Sequence, residues 1–89
     1  MDSSAQQALA ALDRALTHRP EKDGSDFSHA SMHLAALRDA MIARGERGTD
    51  LAQVNAIISV VVGAHFPLGK IPWGTVQAAR DALARLSGA

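Results

Sequence analysis

The stretch LAQVNAIISVVVGAH, residues 51–65, decides the fold. Taken alone, its segment IISVVV at residues 57–62 is β-branched enough to suit a strand. Its surroundings point to a helix instead. Thr49 and Asp50 stand before it as N-cap candidates, and Asp50 with Gln53 has the spacing of a capping box. Leu51, Val54, Ile57, Ile58, Val61 and Val62 recur at three- and four-residue intervals rather than in alternation.

Placed on a helical wheel, the large apolar residues of this segment, Val60 included, sweep about 200°, twice the usual minimum stripe. Most of the remaining arc is small: Ala52, Ala56, Ser59 and Gly63. Gln53 and Asn55 are its amide side chains. A helix so apolar is expected either at the centre of a bundle or shared between subunits, since an ordinary surface helix carries a polar face. Small residues in a row let a second helix approach closely. Leucine at Ala56 or Gly63 is therefore expected to cost ~1–3 kcal/mol by overpacking.

Working upstream, GERGTD at residues 45–50 stops the preceding helix, with Gly45 as a left-handed C-cap. So short a connection makes the two flanking helices antiparallel neighbours. That preceding helix is expected over residues 27–44, capped by Asp26 or Ser28, with Phe27, Ala30, Leu34, Leu37 and Met41 as its core stripe. The polar stretch HRPEKDGSD, residues 18–26, has the composition of an exposed connection. Before it, Ser3 and Ser4 stand three residues ahead of Gln6 and Gln7 as capping boxes. A first helix over residues 4–17 then places Ala5, Ala8, Leu9, Leu12, Ala15 and Leu16 on one face.

Downstream lies AHFPLGKIPWGT, residues 64–75, where Pro67 ends the apolar helix and Pro72 suits the first position of the next. A last helix over residues 72–87 presents Val76, Ala79, Leu83 and Leu86 to the core, with Asp81 and Arg85 as an exposed i, i+4 pair. The whole is an all-α chain: a small antiparallel four-helix bundle, with residues 1–89 as a single helical domain.

Composition narrows what such a domain can do. A chain of 89 residues has a thin stability margin, and without cysteine it has neither disulfides nor thiolate metal sites to widen it. The supports left are a good helical core, a histidine or carboxylate metal site, or a partner chain. Nine Lys and Arg balance nine Asp and Glu, which argues against a nucleic-acid partner and gives little protection against self-association. The start MDSSAQQALAALDR lacks the cationic and apolar regions of a secretory signal. Asn55, His65, Lys70, prolines and glycines break up the longest apolar stretch, so no membrane partner is expected and the cytoplasm is the expected location.

Candidate chemistry is sparse. Asp26, His29 and His33 recur at i, i+3, i+7 on one face, and two imidazoles one turn apart can share a divalent transition metal with a carboxylate. His18 or His65 could complete such a set from another element. The same residues also serve structural roles, Asp26 as a cap and the histidines as borders of the apolar stripe beside Ala36 and Ala40. No cysteine or GxSxG motif offers a nucleophile, and Gly69-Lys70 lacks the rest of a phosphate-binding loop. Neither enzymatic activity nor a cofactor is expected.

Phe66, Leu68, Ile71 and Trp73 concentrate apolar bulk in the loop between the last two helices. They could close the open end of the bundle as a lid, or serve as recognition anchors. The expectation is a non-enzymatic interaction module, a homodimer or a partner of another protein. Its interface would draw on Ala52, Ala56, Ser59, Val60, Gly63, Phe66 and Trp73.

Overall fold

A computed structural model of the chain describes residues 3–19 and 25–88. Among the described residues it forms four α-helices and no strand: α1 (Ser3–His18), α2 (Ser25–Ala43), α3 (Thr49–His65) and α4 (Trp73–Leu86). The segment with the strand-like composition is a helix throughout, as its spacing predicts. Helix boundaries move by one or two residues from those expected, and the reasons lie in the caps.

At the start of α3 the N-cap is Gly48, with φ 106° and ψ −149°, a conformation open essentially to glycine alone. Thr49 and Asp50 thus lie inside the first turn, and neither caps the helix through its side chain. Asp50 instead offsets the positive end of the helix dipole. Pro72 is the N-cap of α4 and not its first residue, and its carbonyl accepts the first helical hydrogen bond from the Val76 amide at 3.0 Å. Helix α2 starts at Ser25, so Asp26 and Ser28 belong to its first turns. Of the expected 18–26 connection, residues 20–24 lie outside the described residues.

Gly45 behaves as its position predicts. At φ 80° its amide donates to Ile42 at 2.9 Å, and the Glu46 amide reaches back to Met41 at 3.0 Å. Those two bonds are the paired closure of a Schellman motif, which turns the chain directly from α2 into α3.

Helices neighbouring in sequence pack side by side, and α1 meets α4 to close the ring. Among the described residues the backbones of the diagonal pairs, α1 with α3 and α2 with α4, make no close approach. At one end, Phe27 of α2 meets Trp73 of α4; at the other, Ala5, Met41, Val54 and Leu83 line one cavity. The helices therefore alternate in direction. A radius of gyration of 12.3 Å matches the roughly 12 Å of a compact chain of this length.

One continuous apolar core results. All five expected core residues of α2 are buried. In α1 the core takes Ala5, Ala8, Leu12 and Ala15 as expected and adds Ala11, while Leu9 and Leu16 are half-buried against it. In α4 Val76, Ala79 and Leu83 are buried, Ala84 joins them, and Leu86 packs at the edge. The buried face of α1 is mostly alanine, and small side chains of this kind let neighbouring helices approach closely.

Helix α3 departs from one of the two placements expected for it. It is not central: it occupies a corner of the ring, burying Val54, Ile57, Val61 and Ala64 on one side only. Four short helices in a ring give each member two neighbours and one outer face, whatever that face is made of. Leu51, Ile58 and Val60 are half-buried along its flanks, while Val62 is 40% exposed.

Ion pairs cross-link the helices at the surface. Arg80 of α4 donates from Nε to Asp13 of α1 at 2.7 Å and from Nη1 to Asp81 at 3.3 Å. The Asp13 bond, followed by that to Asp81, raises the Arg80 guanidinium above its already high ordinary value. Asp81 also accepts from Gln77, and this replaces the expected pair with Arg85.

Candidate functional site

Three surface features could carry a function, and the sequence points to two of them. The first is the outer face of α3 with the loop after it. About 100° separates successive residues of a helix, so the buried set Val54, Ile57 and Val61 fixes the opposite direction. That direction is the line Ala52, Ala56, Ser59 and Gly63, and all four are exposed. A Cβ built at Gly63 meets no atom within 4 Å. The cost expected for leucine at Ala56 or Gly63 accordingly does not arise inside this chain.

Val62 and Phe66 flank the small line on the side toward α2, and Phe66 is 70% exposed. On the side toward α4, half-buried Val60 and exposed Gln53 and Ala56 line a shallow groove of about 200 Å³ with Ala79 and Ala82. From Leu51 to Gly69 the chain holds no Asp, Glu, Lys or Arg. Ser59 turns its hydroxyl back to the Asn55 carbonyl at 3.2 Å, so its hydrogen-bonding need is met on its own helix. The polar side chains on and beside this face are Ser59 and the exposed amides of Asn55 and Gln53.

The loop divides in two. Ile71 is buried, and half-buried Trp73 turns inward to lie 5.8 Å from Phe27 with the Arg19 guanidinium over its ring. These residues close the end of the bundle. Phe66 and Leu68 point the other way, and Leu68 is fully exposed. Of the interface set expected from sequence, Ala52, Ala56, Ser59, Val60, Gly63 and Phe66 share one surface, and Trp73 does not join them. Val62, Leu68 and Ile42 are exposed apolar residues outside that set. Position beside Pro67 could have singled out Leu68, but Val62 and Ile42 fit their helices' apolar patterns and gave no signal.

The second feature is the histidine face of α2. His29 and His33 line a shallow groove against α1 with Gln7, Ala10, Arg14 and Met32. Asp26 does not turn to them; its Oδ1 accepts from Arg14 Nε at 3.1 Å. Arg14 thus brings a cation into the groove where the expected third ligand would stand. Among the described residues no three His, Asp or Glu side chains converge as a metal would require.

The third feature is a cavity of about 300 Å³ at the end of the bundle away from Trp73. Leu37, Met41, Val54 and Leu83 form its apolar wall, and Arg44, Glu46 and Asp50 stand at its mouth. Arg44 is held by Glu46, its Nε donating to Oε2 at 2.9 Å. No helix among the described residues is long and apolar enough to cross a membrane. Compared with protein families, curated proteins and solved structures, the chain matches none.

Proposed function

We propose that this chain is a small, non-enzymatic helical interaction module that self-associates through the outer face of α3 and the exposed half of the following loop. The observation that carries this is the exposure of Phe66 and Leu68 beside Val62 on a segment without a single charged side chain. Large apolar groups left in water favour association, and about 25 cal/mol is recovered for each Å² of apolar surface covered. A formal net charge of zero leaves little long-range repulsion between two copies.

The partner proposed is protein and not nucleic acid. Among the described residues Arg14, Arg38, Arg44 and Arg80 are each held by a nearby carboxylate, and nine acidic residues balance the nine basic ones, which argues against a basic face for phosphates. We place the chain in the cytoplasm, a location with which its lack of cysteine is compatible.

Sedimentation velocity across a dilution series from high to low micromolar concentration tests the proposal. A reversible dimer that dissociates on dilution is the expected result. A single monomeric species at every concentration overturns it.

A further inference from the structure

Resting on the self-association proposed above, the register of the dimer follows from the outer face of α3. We infer that two copies pack α3 against α3 in antiparallel fashion, about a twofold axis passing beside Ser59.

The first ground is steric. Pairing residues symmetrically about Ser59 sets Ala52 opposite the partner's Phe66 near the middle of the face. The largest exposed group of α3's outer face then meets a small one. A parallel pair would set Phe66 on Phe66 and leave alanine facing alanine, with voids between. Interfaces pack to the density of protein interiors, so the antiparallel match is the favourable one.

The second ground is charge. Asp50 at the start of α3 and Lys70 beyond its end have no ion pair or hydrogen-bond partner among the described residues, and both are exposed. An antiparallel pair brings the Asp50 end of each copy alongside the Lys70 end of the other. A parallel pair would bring carboxylate to carboxylate and ammonium to ammonium. Opposed helix dipoles act in the same direction.

The third ground is the surface beneath Phe66. Asp26 and the two histidines put one flank of α2 against α1, so the opposite flank, carrying Ser31, Arg38 and Ile42, faces α3. Exposed Ile42 lies on that flank at the end of α2, from which the short turn through Gly45 leads to the start of α3. In the antiparallel register the partner's Phe66 arrives at this apolar ledge. Ser59 can sit on the axis without loss, because its hydroxyl already donates to Asn55.

A chain without cysteine makes the test direct. Single variants Ser59→Cys and Ala52→Cys, both exposed positions, are oxidised in air and resolved on non-reducing gels, with circular dichroism to confirm that each folds. In the proposed register the two Ser59 positions meet at the axis. The two Ala52 positions lie ~20 Å apart, from seven residues of rise on either side, well beyond disulfide reach. Ser59→Cys should therefore cross-link at least ~10-fold faster than Ala52→Cys, because its partner thiol is held at high effective concentration. Equal cross-linking of both variants, or of neither, in a chain that sediments as a dimer overturns the register and leaves self-association standing. A wild-type chain that sediments only as monomer overturns both.

Discussion

The rings of Phe27 and Trp73 lie 5.8 Å apart, centroid to centroid, with their planes inclined at 32°. One residue lies in the first turn of α2 and the other opens α4, so this contact ties the two diagonal helices of the ring at the end where the loop folds over. It also explains why Trp73 is absent from the outer surface while Phe66 is on it.

Phe27 is fully buried, and truncating it to alanine would leave a cavity under the Trp73 ring. The expected loss is ~3–5 kcal/mol, a large part of the roughly 5–15 kcal/mol that holds a domain folded. Urea denaturation followed by Trp73 fluorescence measures it. Leu68→Ser is the control: fully exposed, it should change the stability of the monomer by less than about 0.5 kcal/mol. A marked loss in Leu68→Ser at low protein concentration would mean that Leu68 packs within its own chain.

Two glycines should respond to alanine with opposite signs. Gly45 holds φ 80° in the turn after α2, where a Cβ costs ~1 kcal/mol or more. Gly63 is helical and open to solvent, so alanine there should stabilise the monomer by ~0.5–1 kcal/mol through helix propensity. Denaturation midpoints of Gly45→Ala and Gly63→Ala, compared at high dilution, decide the matter.

Ala56→Leu separates folding from association. Its side chain lies on the outer face of α3, where the monomer has room for it. Thermal unfolding at low concentration should stay close to wild type, while the dimer should weaken by ~10-fold or more, as overpacking costs ~1–3 kcal/mol at a close interface. Sedimentation of the two chains side by side reads the difference. An unaltered dimer would remove Ala56 from the interface.

The Arg80–Asp13 contact should be worth little and should not respond to neutral pH. Both groups are partly exposed, so a double-mutant cycle of Asp13→Asn with Arg80→Gln should return ~0.2–1 kcal/mol. The folded guanidinium is raised, so its contribution is complete below the unfolded value and is lost only as pH rises through the folded one, in strong alkali. The effect of Arg80→Gln should accordingly stay constant from pH 6 to about 9, given an arginine that never loses its proton there. A coupling that faded across that window would point to a different partner.

Sequence alone determined the helices and most of the core. The three- and four-residue spacing of Phe27, Ala30, Leu34, Leu37 and Met41 is a local property of one helix, and all five are buried as it implies. Gly45 ended α2 in the left-handed turn its chemistry allows, because that too depends only on neighbouring residues. What the tertiary structure decided was which apolar arc of α3 is covered. Val61 and Val62 are chemically alike and adjacent, yet one is fully buried and the other 40% exposed. The difference is set by where α2 and α4 stand, a long-range fact that the spacing within α3 does not contain. For the same reason the loop split unforeseen, with Trp73 drawn inward by Phe27 and Phe66 left facing out. A ring of four helices leaves each member one outer face, and on α3 from Leu51 onward that face carries no Asp, Glu, Lys or Arg.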